Sequence, residues 1–372
     1  MIKKELKKFY RFIIYNFFYL IYGKPKLFLK NFTKLSYKIF NIRINNNKYY
    51  LFKIADGRIY TNTIDDTAYI SDNFILNLPS FQYRNGINSR VENNVCLKIG
   101  TPKFLKKFRG KILSLLAGGG ANLNYHHWLF DVLPRLYLYK KKQPLNTIDF
   151  LLVPNFKLEF QKTTLRILGF SKKKILNSSN FRHVAADEVY ATSHPRYHNT
   201  SKICKWHIDF LRKYFLKFVV KNKFTNEKIY LDRGEGFLLK NLNWRHLKDN
   251  YRLIVNEDVV KSYLISKGFK IIKSQDLSFL EQVNLFYNLK CIVTLHGAGL
   301  SNLVFCKPNT KVIEIRTLDN SDIFPKVLSK LCNLQYYPIS LKTIYKSKKD
   351  QNGLMFCPTA KIDKALKNLN VI

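Results

Sequence analysis

The chain has 372 residues, which is enough for two domains of ordinary size. Apolar residues make up 46% and aromatic residues 15%, so the sequence can build a sizeable core and is not that of a disordered protein. Sixty-four Lys and Arg against 25 Asp and Glu give a formal charge of +39, which indicates a polyanionic partner: nucleic acid, an anionic membrane or a phosphate-bearing substrate. Codon bias of an AT-rich genome also explains part of such a lysine excess.

Residues 1–30 form a basic and aromatic segment. Lys3, Lys4, Lys7, Lys8 and Arg11 precede the run FIIYNFFYLIY at 12–22. The run is shorter than the roughly 20 residues of a spanning helix, and no small-residue cleavage site of a secretory signal follows it. Two interpretations stay open: the segment binds the interface of an anionic membrane, or it is a first helix packed on the protein's own core.

Residues 31–200 are predicted to form a first domain. Its early part shows only short β-rich stretches such as 48–54 among polar turns. A glycine run at 118–120 then leads into a helix-like segment at 125–139. Pro134 lies inside that segment and is expected to kink it or to end a first helix there.

Further along the chain, strand patterns alternate with helix patterns. The predicted strands are 150–153, 188–191, 228–233, 269–272, 292–295 and 311–315. A long basic helix over 199–223 is the expected domain connector. Asn256 and Gly268 mark the ends of one helix, and Ser278 with Glu281 forms a capping box at the start of another.

This alternation predicts βαβ units and parallel sheets, in which ligands bind at the carboxyl ends of the strands. The turn Gly297–Gly299 and Glu314 are therefore expected at a ligand site. The predicted organisation is a segment 1–30, a domain 31–200, a connecting helix 201–225, a second domain 226–345 and a C-terminal tail or helix 346–372.

The sequence HGAGLSNLVF at 296–305 is the first candidate site. Gly297 and Gly299 allow the backbone to approach a ligand, and a helix beginning near Leu300 presents free N–H groups that suit a diphosphate. His296 can donate a hydrogen bond to phosphate or ribose. A tight strand-to-helix connection with a structural histidine explains the same residues.

The sequence NYHHWLFDVLPRL at 124–136 is the second candidate. His127 and Asp131 stand at i and i+4 of a helix, so they share a face. A carboxylate beside an imidazole orients the ring and raises its basicity, which suits a general base. Arg135 continues the face and suits phosphate binding. A surface His–Asp pair on a structural helix is the alternative.

Arg233 is the third candidate, at the carboxyl end of the predicted strand 228–233. It is suited to neutralise a leaving diphosphate. The alternative is a surface arginine paired with Asp232 or Glu235.

The sequence lacks the motifs of several common kinds of site. No Asp-x-Asp, P-loop or nucleophile-elbow sequence occurs, so a metal-bridged diphosphate site, a P-loop and an α/β-hydrolase are unsupported. The cysteines form no C-x-x-C pair, so no zinc site is predicted, and they fit a reducing cytosol better than a disulfide framework. They are Cys96, Cys204, Cys291, Cys306, Cys332 and Cys357.

In combination these motifs resemble glycosyltransferase family 61. NYHHWLFDVLPRL is similar to the family's N-domain signature, and KIYLDRG at 228 through HGAGLSNLVFCKPNTKVIEI, ending at 315, is similar to its C-terminal half in order and spacing. The resemblance implies a GT-B fold, in which two facing Rossmann-like domains enclose an interdomain cleft, and inverting transfer without a metal or other cofactor. It covers mainly residues 118–315, and Asp232 departs from it because relatives often carry a serine there.

The resemblance also implies site residues and partners. The donor-side residues are Arg233, His296, Gly297, Ala298, Gly299, Asn302 and Glu314, and the N-domain residues are Asn124, His127, Asp131 and Arg135. His127 backed by Asp131 is expected to be the catalytic base, Glu314 to accept from ribose hydroxyls, and Asn124 and Arg135 to bind acceptor or phosphate. Residues 31–200 are then the acceptor-side domain and 226–345 the nucleotide-sugar-binding domain.

Bacterial members of the family are often linked to capsule or surface polysaccharide, with glycan or lipid-linked diphosphate acceptors. A cytoplasmic enzyme, peripheral at the inner face of the membrane, is therefore expected. Two alternatives remain. One is a basic nucleic-acid-binding protein, although no recognition motif appears. The other is a non-catalytic membrane-associated scaffold on the same fold.

Overall fold

The computed structural model describes residues 2–27, 37–62, 66–80, 82–84, 87–89, 91–116, 123–196, 202–220, 224, 227–235, 238 and 244–372. The chain divides into two compact units, Met1–Lys202 and Ile203–Ile372. The glycine run at 118–120 and parts of the connector expected over 201–225 lie outside the described residues.

The first unit is built on a mixed sheet. The strands of this unit are β1 (Lys26–Leu27), β2 (Tyr37–Ile44), β3 (Asn47–Ala55), β4 (Arg58–Thr61), β5 (Thr67–Ser71), β6 (Phe74–Ile75), β7 (Gln82–Arg84), β8 (Ile87–Ser89), β9 (Lys106–Ser114), β10 (Phe150–Val153), β11 (Ile175–Asn177) and β12 (His183–Thr192). Strands β7 and β8 pair with each other outside the mixed sheet. Its helices are α1 (Ile2–Tyr22), α2 (Cys96–Ile99), α3 (Tyr125–His127), α4 (Pro134–Lys140) and α5 (Glu159–Ile167).

Strand β12 joins the parallel part of this sheet to its antiparallel part. It pairs in parallel with β9, and β9, β10 and β11 continue in parallel. It pairs antiparallel with β3 and β4, and β2, β5 and β6 also form antiparallel pairs. The Rossmann-like pattern expected for the first domain is thus present in β9–β12, and the N-terminal strands, which the sequence left largely unassigned, form an antiparallel addition to it.

The second unit contains a five-stranded sheet that is parallel throughout. Its strands and those of a small separate sheet are β13 (Glu227–Asp232), β14 (Arg252–Ile254), β15 (Lys270–Lys273), β16 (Leu289–Leu295), β17 (Lys311–Thr317), β18 (Gln335–Leu341) and β19 (Gly353–Met355). Its helices are α6 (Lys205–Phe215), α7 (Trp244–Asn250), α8 (Glu257–Ser266), α9 (Phe279–Tyr287), α10 (Phe324–Leu331) and α11 (Thr359–Asn368).

The strand order of this sheet is β15-β13-β16-β17-β18. After β13 the chain crosses to one side, forms β15, and returns to the other side of β13 as β16. This doubly wound order has its switch point between β13 and β16, where ligands of open parallel sheets bind. The sheet therefore presents the carboxyl ends of β13 and β16 as its crevice.

The local signals in this half are confirmed with small differences. Ser278 and Glu281 exchange the two bonds of the capping box at the start of α9. Gly268 follows α8 with a positive φ of 77°, as a C′ glycine does. Asn256 precedes α8, but its side chain bonds the backbone of Cys357 instead of capping the helix.

Two segments belong to the second unit more closely than the sequence indicated. The basic helix expected over 199–223 is α6 followed by a 3₁₀ turn at Leu216–Phe218, and Arg212 on α6 donates to the carbonyls of Val304 and Cys306. The expected tail 346–372 contributes β19 and α11, whose Ile362, Ala365 and Leu366 are fully buried in the core. No helix within the described ranges has both the length and the apolar character that crossing a membrane requires.

Candidate functional site

The first unit gathers five polar side chains at the carboxyl ends of β9 and β12. His126, His127 and Asp131 come from the helical segment that follows β9, and His194 and Arg196 come directly after β12. Because β9 and β12 are parallel neighbours, the segments that follow them meet at one edge of the sheet. These five residues are called the Asp131 cluster below.

Asp131 is the centre of this cluster. His127 Nδ1 lies 2.6 Å from Asp131 Oδ2, as the i, i+4 spacing predicts. Arg196 donates two hydrogen bonds to the same carboxylate, from Nε to Oδ1 at 2.5 Å and from Nη2 to Oδ2 at 2.7 Å. Arg196 Nη1 also lies 3.3 Å from His126 Nε2. Both histidines of the HH pair therefore border one guanidinium.

The surroundings fix the protonation state of two members of the cluster: positive charge keeps Asp131 ionised, and burial keeps His194 neutral. Burial alone would raise the pKa of the Asp131 carboxyl, but Arg196, with His194 and His127, outweighs burial and holds the pKa well below its usual range. Burial lowers the pKa of the His194 imidazole to about 3, against the attraction of Asp131. Its Nδ1 accepts the Arg196 backbone N–H at 3.1 Å, so the neutral ring carries its proton on Nε2.

Exposure separates His127 from its partners. The side chains of Asp131, His194 and Arg196 are only 3–4% exposed, whereas that of His127 is 21% exposed. A buried arginine–carboxylate pair is fixed in charge and geometry. With Nδ1–H donated to Asp131, Nε2 of His127 is the ring atom that can take a proton from a bound hydroxyl.

The backbone beneath the pair is a π turn. The expected helix 125–139 is divided into α3, a π-helical turn at Trp128–Val132 and α4, and Leu133 N–H bonds the carbonyl of Trp128, five residues back. Pro134 is the first residue of α4, where its missing N–H costs no bond. The predicted break at Pro134 is confirmed, and the wide turn carries Asp131, as such turns often do at functional sites.

Asn124 and Arg135 take internal positions. The Asn124 side chain caps α3 by accepting the His127 N–H at 3.3 Å. Arg135 is buried, and it donates to the Asp131 carbonyl and to Thr192, the last residue of β12. The role expected for Arg135, phosphate binding, is corrected: its guanidinium braces the π turn against β12 and has no exposed face.

The second unit has a cavity of about 180 Å³ at the predicted switch point. It is lined by the ends of β13 and β16 and the turn after β16, namely Leu231, Asp232, Arg233, Glu235, Ser274, Thr294, Leu295, Gly297, Ala298, Gly299 and Leu300. Pockets that enclose a whole drug-sized ligand measure roughly 300–1,000 Å³. This cavity therefore has room for a part of such a ligand.

Two guanidinium groups converge beside this cavity on one acceptor, the carbonyl of His296. Arg233 Nη1 donates to it at 2.9 Å, and Arg252 Nη1 donates to it as well. Burial and the neighbouring Arg233 lower the pKa of Arg252 to about 10, so Arg252 stays charged at neutral pH. Arg233 also pairs with Glu235 at 3.0 Å, as the alternative reading of the sequence expected. The pairing is therefore confirmed, Arg233 also lines the cavity, and its role toward a leaving diphosphate stays a prediction.

Gly297 leaves room for Arg233. Its φ of 169° is extended backbone, which any residue adopts, but an added Cβ would contact Arg233 Nη1, so a side chain here would make the guanidinium shift. Gly299 would bring a Cβ to 3.0 Å from Leu231. The helix expected near Leu300 begins at Ala298 and is a 3₁₀ helix, Ala298–Phe305. Gly297 therefore lets Arg233 lie against the turn.

His296 and Glu314 form a buried pair, which corrects two expectations. Glu314 lies in the middle of β17, is fully buried, and accepts from His296 Nδ1 and the Tyr336 hydroxyl. It is not available to ribose hydroxyls. His296 is buried too, and its Nε2 lies 3.5 Å from Asp322. The pair fixes the backbone at 296, whose carbonyl receives the two arginines.

Asn302 and Asp232 complete the second unit. Asn302 is fully buried and donates to Gln282 at 2.9 Å, so it belongs to the packing beneath the turn and does not line the cavity. Asp232 does line the cavity. It accepts the Gly234 N–H at 2.6 Å and pairs with Lys261 at 2.9 Å, which shapes the turn after β13.

Sequence reasoning missed His194, Arg196 and Arg252. The first two follow directly on a predicted buried strand, so the rule that drew attention to Gly297 and Arg233 would also have found them. Arg252 belongs to the short strand β14, which the sequence analysis did not assign, and no pattern indicated its contact with His296.

Comparison with known families gives one match. The family profile described as Glycosyltransferase 61 matches residues 125–313, which is 189 of the 372 residues. The matched region includes His127, Asp131, Arg196, Arg233 and Arg252, and its ends fall one residue inside Asn124 and Glu314. A search of curated proteins found no match.

Proposed function

The chain belongs to the glycosyltransferase 61 family and is therefore a glycosyltransferase, and we propose that it moves a sugar from a nucleotide-sugar donor to a hydroxyl of a glycan or lipid-linked acceptor with inversion at the anomeric carbon. The observation that carries the chemistry is the Asp131 cluster. It contains an imidazole with partial exposure, fixed by a carboxylate whose charge is held by a buried arginine.

The second unit binds the donor in this proposal. The diphosphate occupies the cavity at the ends of β13 and β16, which Arg233 lines, and Arg252 adds positive charge beside it through the His296 carbonyl that both arginines bond. The Arg233–Glu235 pair is about one third exposed, and such pairs are worth only about 0–1 kcal/mol. A bound diphosphate therefore displaces Glu235 from Arg233 at little cost.

The first unit supplies the base. His127 Nε2 removes the proton of the acceptor hydroxyl while its oxygen attacks the anomeric carbon. The bond from that carbon to the diphosphate breaks in the same step, and its electron pair leaves with the nucleoside diphosphate. Asp131 stabilises the imidazolium that forms, as a buried carboxylate does for a catalytic histidine. Two cationic side chains meet the leaving group, so the proposed reaction uses no metal.

The fold class and the setting are parts of the same proposal. The two α/β units correspond to the two domains of the GT-B class. The net charge of +39 supports an acceptor that carries phosphate, such as a lipid-linked diphosphate, and a role in bacterial surface polysaccharide synthesis on the cytoplasmic side of the membrane. The same charge would attract nucleic acid without sequence preference, so weak, salt-sensitive nucleic-acid binding does not contradict the proposal.

The first experiment screens a panel of nucleotide sugars by thermal shift, because a bound donor raises the melting temperature by mass action. The donor found is then used in a transfer assay. We expect His127→Ala to lower kcat on the order of 10³-fold while the donor-induced shift remains. We expect Arg233→Ala to reduce the donor-induced shift itself. Exposed residues of the same types give the controls, His246→Ala and Arg166→Ala.

Two results would contradict the mechanism. Normal turnover by His127→Ala would remove the base assignment. A product that retains the configuration of the donor sugar would exclude a single displacement. If no nucleotide sugar shifts the melting temperature of the wild-type chain or supports transfer, the donor class is wrong.

A further inference from the structure

Helix α1 packs on the first unit through one side of its C-terminal half. Phe18 is 7% exposed, and its ring packs edge to face on that of Phe104 with 5.1 Å between the ring centroids. The Tyr19 hydroxyl donates to the Lys98 carbonyl at 2.5 Å, and the Tyr22 hydroxyl accepts the Leu105 N–H at 3.0 Å. The expectation of a first helix packed on the protein's own core is therefore correct for this side of α1.

The opposite side of α1 is apolar and exposed from Leu6 to Ile21. Each residue advances about 100° around a helix, so residues three and four apart share a side. The residues on this side are 48–89% exposed: Leu6, Phe9, Tyr10, Ile13, Phe17, Leu20 and Ile21. They form a continuous row, called the α1 stripe below, on the side turned away from Phe18 and Tyr22.

Outside the stripe, the described side chains exposed on the N-terminal part of α1 are mainly basic, with Phe12 as the apolar exception. Lys7, Lys8 and Arg11 are exposed and lie outside the stripe, toward the side that packs on the unit further along the helix. Glu5, the one acidic residue of α1, pairs with Lys8 at 2.8 Å. A row of aromatic and aliphatic residues on one side with basic residues on the other is the pattern of helices that lie in a membrane interface.

Charge selects an anionic bilayer over a second copy of the chain as the occupant. Two chains of +39 repel each other, and three of the seven stripe residues are aromatic, as is common in helices of a bilayer interface: Phe9, Tyr10 and Phe17. A parallel helix dimer instead prefers Leu, Ile and Val at its a and d positions. Anionic lipid headgroups attract basic residues close to the membrane surface.

We propose that α1 lies lengthwise in the interface of an anionic bilayer, with the α1 stripe among the acyl chains and Lys7, Lys8 and Arg11 at the headgroups. At 21 residues the helix is about 30 Å long, which gives a line contact. Packing of Phe18 and Tyr22 on the first unit ties that contact to the folded protein. The proposal rests on the exposure of α1 and holds whether or not the proposed transfer chemistry is correct.

The test is vesicle flotation with the full-length chain. Vesicles contain phosphatidylcholine alone or phosphatidylcholine with about 30% phosphatidylglycerol. We expect binding to the anionic vesicles and at least tenfold weaker binding to the neutral ones. The variant Phe9→Ser/Ile13→Ser/Leu20→Ser is expected to lose at least tenfold in binding, since it removes three exposed stripe residues. Val259→Ser/Ile265→Ser, on exposed positions of α8, is the matched control and should bind as the wild type does.

Thermal unfolding accompanies the flotation, because the three serine substitutions are at exposed positions and should leave the melting temperature unchanged. If the triple variant is destabilised, the single variants Phe9→Ser and Leu20→Ser replace it, each with a smaller loss expected. Equal binding of wild type and stripe variants would overturn the proposal, as would a wild-type chain that does not float with anionic vesicles. A dimer in solution that the stripe substitutions dissociate would instead assign the stripe to a second copy.

Discussion

Each unit contains a histidine whose Nδ1 bonds a carboxylate, and the two pairs differ in what surrounds them. In the first unit Asp131 is held by Arg196, and the His127 side chain is 21% exposed. In the second unit Glu314 also accepts from Tyr336, and both His296 and Glu314 are buried. The first pair leaves an imidazole partly exposed, whereas the second holds a backbone carbonyl in place for two arginines.

The difference shows that a His–carboxylate pair does not define a role by itself. In both units the imidazole Nδ1 faces a carboxylate oxygen, so the partners within the pair do not separate the two. The two pairs differ in the solvent exposure of the imidazole and in the further side chain that bonds the carboxylate. A buried cation fixes the charge of Asp131 and leaves the imidazole as the exposed group. In the second unit the Tyr336 hydroxyl bonds Glu314, and a second carboxylate, Asp322, lies beside His296 Nε2.

The largest expected effect comes from removing the cation of the first pair. Arg196→Ala leaves the buried Asp131 carboxylate without its arginine, and such a loss costs about 3–5 kcal/mol of unfolding free energy. Arg196→Lys keeps the charge but not the two-bond grip, so it should recover only part of that stability. Denaturant unfolding measures both, with the exposed Arg109→Ala as control.

The pH–rate profile tests whether Arg196 also positions the base. Without the cation that offsets the charge of Asp131, the acidic limb of the profile for Arg196→Ala should move to higher pH, and Arg196→Lys, which keeps the charge, should move it less. A profile that stays at the wild-type position, together with unchanged stability, would mean that Arg196 is dispensable and that the comparison of the two pairs fails.

A smaller effect is expected from His194, which burial keeps neutral. Its pKa is lowered from 6.5 to about 3, so between these values the unfolded chain binds the proton and the folded chain does not. Stability therefore falls as the pH drops through this window, by roughly 3 kcal/mol between pH 7 and pH 4. Asp131 acts in a separate window, because its lowered pKa retains its contribution until the pH falls below about 4.

His194→Asn separates this contribution from others. An asparagine oxygen can still accept the Arg196 backbone N–H, but it does not titrate. Burial also lowers the pKa of His183 to about 4, so this residue too makes the unfolding free energy fall on acidification. A part of the pH dependence should therefore remain in the variant. Unfolding free energies of both chains from pH 7 to pH 4 check this, and parallel curves would show that His194 is not buried as a neutral ring.

The sequence predicted what depends on local order and missed what depends on strand pairing. The i, i+4 spacing of His127 and Asp131 lies within one helical segment, and that contact is confirmed. Arg196 is 65 residues from Asp131, and the two meet because β9 and β12 pair in parallel, which no local pattern reveals. Glu314 was misplaced for a related reason: a strand covered on both faces reads as an apolar run, so the sequence does not say that its one carboxylate is enclosed.

Glu314→Gln tests the second pair and has the smallest expected effect. A glutamine cannot accept from both His296 and Tyr336 through an ionised carboxylate, so one buried group loses its partner at a cost of about 2 kcal/mol of unfolding free energy. Because the His296 carbonyl orients Arg233 and Arg252, donor KM should rise severalfold while kcat changes little. Exposed Glu92→Gln is the control. A fall in kcat of several orders of magnitude, with donor KM and stability unchanged, would instead give the buried pair a direct part in the chemistry and make the two units alike where we find them different.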